Sequence, residues 1–246
     1  MEAAANPIVD AVNIPLAELP QRTHELPPRE EILRVVGPAA LVQEAVGLLV
    51  RLGRSAVVHD GFRHAASDGV DAVGRMWWPN TFLADVVPRI EPGAVLDLGC
   101  GTGRDAVFMA SHGWTVTAVD VLPDAIDRAR RLETVCAAAV EPIEWHVMNL
   151  EHDTPRFASR YNLIVVIRYL HRPLFEHFAE WLEPGGHVVC ETFTHQHRER
   201  HGRPASDDRV LRSAELFDLL PGFRTRHASV GWHGQTHTAR LWAQKP

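Results

Sequence analysis

The chain reads as an α/β protein built on a mostly parallel sheet, and three observations carry that reading. From Ala94 onward, apolar β-branched runs alternate with helical patterns, as they do where crossover helices join parallel strands. The stretch Ala94-Val-Leu-Asp-Leu-Gly-Cys-Gly-Thr-Gly-Arg-Asp105 sets three glycines at alternate positions between a buried strand and a helix. The chain ends on two more apolar runs, Phe223 to Val230 and Thr238 to Trp242, joined through Gly231 to His237 and read as an antiparallel pair closing the sheet.

The N-terminal elements come first. Glu31 to Val36 is a short strand, and Ala39 to Leu52 carries an apolar helical stripe (Leu41, Ala45, Leu48, Leu49, Leu52) ended by Gly53. Ala56 to His59 is a second strand, completing a small βαβ unit behind Asn13-Ile-Pro-Leu-Ala-Glu-Leu-Pro20. Over about 50 residues this unit resembles the central part of a rhodanese domain. That fold carries its persulfide on a cysteine in the loop after the strand, and the loop here, Val36-Gly-Pro-Ala-Ala40, has none. Residues 1–60 are therefore read as a degenerate, truncated rhodanese-like appendage used for packing, for dimerisation into a homodimer, or for covering the active site. Residues 61–75 are rich in Gly, Asp, Ala and Ser and read as a linker.

Residues 76–246 form the main domain. Met76-Trp-Trp-Pro-Asn-Thr-Phe-Leu-Ala-Asp-Val-Val-Pro88 starts a helix, with Asn80 or Thr81 as its cap and Phe82, Leu83, Val86 and Val87 as its buried face. After the glycine loop a helix runs to His112-Gly113. Trp114 to Asp120 is the next strand and Pro123 to Leu132 the next helix, with proline allowed in its first turn. Glu144 to Met148 is a third strand. Tyr161 to Arg168 is apolar enough to lie buried on both faces at the sheet centre. A helix over Pro173 to Leu182, a strand over His187 to Phe193 and a helix over Leu211 to Leu220 complete the pattern.

The spacing in the glycine loop selects its ligand. A dinucleotide fingerprint needs G-x-G-x-x-G and a phosphate-binding loop needs Lys-Ser or Lys-Thr, and Gly99-Cys-Gly-Thr-Gly103 followed by Arg104 and Asp105 is neither. Asp97, two residues before the first glycine, repels a pyrophosphate and suits an ammonium group. Val95-Leu-Asp-Leu-Gly-Cys-Gly-Thr-Gly103 resembles motif I of the class I S-adenosylmethionine-dependent methyltransferases. The resemblance implies a Rossmann-like fold, a seven-stranded, mostly parallel sheet with helices on both faces, and S-adenosylmethionine as cofactor. It implies that Asp97, with Gly99, Cys100, Gly101 and Gly103, holds the methionyl and ribose portions. Asp120 lies at the end of the next strand, where a carboxylate reaches a ribose diol. Val121 then offers an apolar face to adenine. The family often has Asp where this chain has Asn149, and Asn149 with Leu150 is read as the adenine edge.

Ligands in open α/β sheets bind outside the carboxyl ends of the strands at the switch in strand order. That placement brings Arg168, Tyr169 and His171 toward the reacting methyl, with Arg168 also beside the cofactor; His171 and His195 are the candidate general bases. His195, His197 and His201 have a spacing a metal accepts, but no scaffold or fourth ligand accompanies them, so no metal is expected. Val166-Ile-Arg-Tyr-Leu-His-Arg172, Glu191-Thr-Phe193 and the Gly-Arg-Asp end of motif I resemble the tellurite-resistance and thiopurine-methyltransferase-like branch. That branch implies a small, soft chalcogen nucleophile as acceptor: a thiol, selenite or tellurite.

Composition narrows the remaining classes. The net charge is −6 over 246 residues and the isoelectric point is near 6.2, so there is no global basic field and nucleic acid is not an expected partner. No apolar run is long enough to cross a bilayer and no secretory pattern opens the chain, so the cytoplasm is the expected location. Cys100, Cys136 and Cys190 are scattered without C-x-x-C spacing, which argues against a disulfide framework.

Overall fold

The computed structural model describes residues 14–27, 29, 31–60, 77–136, 142–153, 160–212 and 215–246. The linker expected over 61–75 lies outside them. Contacts divide the chain into two units, Met1–Trp78 and Pro79–Pro246. In the first unit, β1 (Ile32–Val35) and β2 (Ser55–Val58) pair in parallel through the crossover helix α1 (Ala39–Arg51). Leu19, Leu26, Leu33 and Leu49 form its core. The βαβ unit read from the sequence is present, with boundaries moved by a residue.

The second unit opens with α2 (Thr81–Val86), whose N-cap Asn80 accepts a hydrogen bond from the Leu83 N–H at 3.0 Å. Phe82, Leu83, Val86 and Val87 are all buried, so the expected apolar face is the packed one. Then follow β3 (Ala94–Leu98), α3 (Arg104–Ala110), β4 (Thr115–Asp120), α4 (Pro123–Cys136), β5 (Glu144–Val147) and β6 (Tyr161–Ile167). The buried residues of α4, Ala125, Ile126, Ala129 and Leu132, recur at the three-to-four spacing that lays one helix face on a sheet.

The C-terminal half contains the short helix α5 (Phe178–Trp181), β7 (Leu182–Phe193), α6 (His195–His201), α7 (Glu215–Asp218), β8 (Arg224–His233) and β9 (Thr236–Gln244). The sheet has seven strands in the order β5-β4-β3-β6-β7-β9-β8. All neighbouring pairs are parallel except those made by β9, which runs antiparallel to β7 and β8. The order reverses between β3 and β6, which places the crevice at their carboxyl ends. Leu96, Leu98, Ile164, Phe178, Leu182 and Val188 are fully buried beneath it in one continuous core.

Three elements depart from the sequence reading, each for a tertiary reason. The helix expected over 173–182 is a 3-10 turn, Arg172–His177, followed by α5, because Pro173 sits in the first turn and Leu182 already pairs with Tyr161. The helix expected over 211–220 is reduced in the described residues to α7, since the Leu211 N–H donates to the Phe193 carbonyl at 2.8 Å and Leu211 bridges Thr194. Residues 195–201, to which the sequence reading assigned no helix, form one bounded by Thr194 and Gly202, with Gly202 at φ +65°.

Candidate functional site

Three of the five residues in the loop between β3 and α3 are held in left-handed conformation: Gly99, Gly101 and Gly103 have φ of +74°, +55° and +77°. Their surroundings differ. A Cβ on Gly99 would stand 2.7 Å from Cβ and Cγ of Tyr169, and one on Gly103 would stand 2.6 Å from Cη2 of Trp145 and 2.7 Å from Cβ of Ala129. A Cβ on Gly101 would meet nothing within 4 Å. The outer two glycines admit close packing of the protein on itself, and Gly101 presents bare backbone to open space, where a ligand can lie.

Hydrogen bonds stiffen this loop. Main-chain N–H groups of Gly99 and Cys100 both donate to the Val119 carbonyl, at 2.9 and 3.0 Å. Asp120, half-buried at the end of β4, accepts from the Gly101 N–H at 2.8 Å through Oδ2 and from the Leu122 N–H at 3.0 Å through Oδ1. Each carboxylate oxygen keeps a further lone pair for a diol. Val121 and Leu122 lie beside it with 50% and 59% of their surface exposed, an apolar step left uncovered at the rim. Cys100 contributes backbone only: burial and the nearby Asp97 push its thiol far above the usual range, so no thiolate forms there.

Asp97 is the electrostatic centre. It is 2% exposed, and its Oδ2 has no hydrogen-bond partner among the described residues. Burial first, then Asp105 and Asp120, raise its carboxyl well above the ordinary carboxylate range. A buried acceptor without a donor, facing two more carboxylates, is costly to ionise unless a cation arrives. The donor set therefore fits the ammonium of an amino-acid end, and the open face of Gly101 fits the rest of that ligand.

Around this centre the structure brings in two groups that the sequence reading named only as a helix cap, Asn80, and within a family resemblance, Glu191. The Asn80 N–H donates to Asp105 Oδ1 at 2.6 Å, and its side-chain amide donates to Glu191 Oε2 at 2.8 Å. Glu191, 2% exposed at the carboxyl end of β7, also accepts from the Thr238 hydroxyl at 2.8 Å, and Arg240 Nε stands 3.1 Å from it. Asn80 thus joins the start of α2 to both the glycine-loop helix and β7. Glu191, a carboxylate directly after the buried run Val188-Val-Cys190, is the signal that could have found it.

Arg168 is the one non-glycine among the described residues at positive φ, +57°. Its N–H donates to the Glu191 carbonyl at 2.7 Å, which fixes this strained turn, and its exposed guanidinium lies 5.7 Å from the Phe193 ring centre. Tyr169 packs on Gly99, with the Arg209 guanidinium 5.8 Å from its ring centre and Arg209 paired to Glu151. Burial, with Glu151 second, pushes the Tyr169 phenol up to about 12, so it stays protonated at neutral pH and donates rather than abstracts.

The remaining site candidates are spread out. His171 lines a cleft of about 210 Å³ with Leu150, Glu151, Asp153 and His177, and His195 lines another of about 430 Å³ with Arg172, Asp208 and Glu215. The two histidines are not brought into one pocket. Asn149 Oδ1 accepts from the Glu151 N–H at 3.0 Å, closing the turn after β5, and Leu150 is buried in the core. His197 is turned inward, stacked on Phe193 at 4.3 Å with its Nδ1 accepting from the His237 N–H at 3.3 Å. Among the described residues no three His, Cys, Asp or Glu side chains converge as a metal site. Among the same residues, no helix is long and apolar enough to cross a membrane.

Comparisons with known proteins cover most of the second unit. A family model described as a methyltransferase domain matches residues 78–244. Nodulation protein S of Rhizobium tropici is 29% identical over 135 residues, covering 51% of this chain and 52% of that protein. This chain thus spans about half the length of that relative. TehB from Haemophilus influenzae superposes with a TM-score of 0.57 at 18% identity, over 68% of this chain and 62% of that one. The N-methyltransferase NodS from Bradyrhizobium japonicum WM9, in complex with S-adenosyl-L-homocysteine, does so with a TM-score of 0.54 at 21% identity, over 68% and 85%. At these identities the two structures share the fold.

Proposed function

This chain belongs to the methyltransferase domain family, and from that premise we infer that it is an S-adenosylmethionine-dependent methyltransferase and propose that its acceptor is a small molecule. The observation that carries the donor is Asp97, buried with an unpartnered oxygen at the end of β3, ahead of a loop in which the Cβ direction of Gly101 is open. When bound, the cofactor supplies a sulfonium-activated methyl for in-line displacement. The chain's own residues then bind, align and exclude water. Asp97 takes the ammonium, Asp120 the ribose diol, Val121 the adenine face, and Asn149 with the Leu150 main chain the adenine edge.

The acceptor side is read from the carboxyl end of β6. Arg168 presents a cation and Tyr169 a neutral phenol donor, a pair that orients an anionic or easily ionised nucleophile and leaves no proton to be removed from it. A thiolate, selenite or tellurite fits these groups, as does the likeness of Val166 to Arg172 to the chalcogen-methylating branch. His171 and His195 serve as bases only for acceptors that reach their separate clefts. The test is turnover of S-adenosylmethionine to S-adenosylhomocysteine against thiols, selenite, tellurite and RNA. Arg168→Ala is expected to raise the KM of a chalcogen anion about tenfold, the value of one charge-assisted contact, with cofactor affinity nearly unchanged. Unchanged turnover and KM in that variant, or turnover on RNA alone, contradicts the acceptor reading.

For residues 1–60 we propose a cysteine-free rhodanese-like appendage that packs or dimerises and does not transfer sulfur. Thiosulfate sulfurtransferase activity of the full chain contradicts this, and light scattering reports the homodimer.

A further inference from the structure

Asn80 joins the two sides of the site through one side chain and its own main chain. Its N–H donates at 2.6 Å to Oδ1 of Asp105, in the first turn of α3 behind the glycine loop. Its Nδ2 donates at 2.8 Å to Oε2 of Glu191, near the end of β7. The Glu191 carbonyl in turn accepts from the Arg168 N–H at 2.7 Å, and so pins the residue held at φ +57°. A chain of contacts thus runs from α3 through Asn80 and Glu191 to the Arg168 turn. The charge of Glu191 acts unfavourably on Asp105, and Asn80 donates to both carboxylates.

A helix cap alone does not account for this residue. Capping α2 uses only Oδ1, which accepts from the Leu83 N–H at 3.0 Å. That bond fixes the orientation of the amide and leaves Nδ2 to face Glu191. Asp and Ser cap helices about as well as Asn. Asp offers no donor and would set a third carboxylate against Glu191 and Asp105, and Ser has a single oxygen for both tasks. Asn is the capping residue that carries an acceptor and a donor on separate atoms. We propose that Asn80 is a positioning residue for methyl transfer, a strut that sets the Arg168 turn against the glycine-loop helix and so aligns acceptor with donor. The inference rests on the donor and acceptor readings above and adds a residue that acts through Asp105 and Glu191. Losing the strut costs alignment, and with it turnover, more than it costs cofactor affinity.

The experiment compares three variants of the full chain: Asn80→Ser, Asn80→Asp, and the reciprocal swap of Asn80→Asp with Glu191→Gln. Asn80→Ser keeps the cap and drops the strut. It is expected to lower kcat about 10- to 100-fold on the acceptor that the wild type methylates, the cost of a small misalignment. Its affinity for S-adenosylhomocysteine is expected to stay within about twofold of the wild type. In the free protein, amide hydrogen exchange at Arg168 is expected to speed up about tenfold, a readout that needs no ligand. Asn80→Asp is expected to lose more in both measurements, and the swap, which exchanges donor and acceptor at equal net charge, to restore most of both. Unaltered kcat or unaltered exchange in Asn80→Ser overturns the proposal. So does a joint fall of kcat, S-adenosylhomocysteine affinity and unfolding midpoint, the pattern of a residue that only packs. A folded swap no better than Asn80→Asp overturns it too, and if the aspartate variants do not fold, Asn80→Ser decides alone. A wild type that makes no S-adenosylhomocysteine with thiols, selenite, tellurite or RNA refutes the methyl-transfer reading and the strut with it. A wild type that does, with Asn80→Ser its equal, refutes the strut alone.

Discussion

Asp97→Asn is expected to weaken S-adenosylmethionine binding by more than a hundredfold while leaving the free protein as stable as the parent or more so. The two effects have opposite signs because the same carboxylate is a burden without the ligand and an anchor with it. In the free protein Asp97 is 2% exposed with Oδ2 unpartnered, and two further carboxylates act on it. An amide of the same shape removes that repulsion. With the ligand in place, removing one partner of a desolvated charge pair costs about 3 to 5 kcal/mol. Residues that merely pack lose stability and binding together, so the divergence is the signature of a ligand anchor.

The same group sets a pH dependence. Its folded carboxyl is raised above the unfolded value, so the folded free protein holds this proton more tightly than the unfolded chain does. Its contribution to stability is present at low pH and is lost as pH rises from the ordinary carboxylate range through the raised folded value. Binding an ammonium requires the ionised form, so binding releases a proton and tightens as pH rises over that window. Unfolding midpoints with and without S-adenosylhomocysteine across a pH series are expected to diverge upward in the wild type. In Asp97→Asn that divergence is expected to be flat.

The second large effect separates two glycines two residues apart. Gly103→Ala adds a methyl 2.6 Å from Trp145 and 2.7 Å from Ala129 at φ +77°. Left-handed strain with overpacking costs about 2 to 4 kcal/mol, a drop of roughly 5 to 15 °C in the unfolding midpoint. Gly101→Ala adds a methyl that meets nothing within 4 Å at φ +55°. Its conformational cost is about 1 kcal/mol, and its main effect falls on the ligand, whose affinity is expected to drop about 10- to 100-fold. Thermal unfolding and titration on both variants check the contrast. Equal stability losses without a binding difference contradict the assignment of the Gly101 face.

The fold was legible because β3, β4 and β6 are buried over most of their length and read as largely apolar runs, while α4 spaces its apolar residues at three and four. The residues proposed for the cofactor are marked by the same pattern: Asp97 and Asp120 stand at or next to the ends of β3 and β4. The C-terminal helices were harder to read, because tertiary partners outweigh local propensity there. Leu211 pairs with Phe193 and Thr194 instead of starting a helix, and Leu182 pairs with Tyr161 instead of ending one. Arg209 on Tyr169, and Asn80 between Asp105 and Glu191, join residues 25 to 111 positions apart, and no local period encodes such contacts. The separation of His171 from His195 was hidden likewise, since both follow carboxyl ends of neighbouring strands and only side-chain direction assigns them to different clefts.

The central claim is that the open backbone at Gly101, under the charge of Asp97, is the seat of the methyl donor. Calorimetric titration of S-adenosylmethionine into the wild type, Gly101→Ala and Asp97→Asn tests it most directly. One-to-one binding in the wild type, sharply weakened in both folded variants, is the expected result. Absence of binding in the wild type, or undiminished binding in both variants, contradicts it.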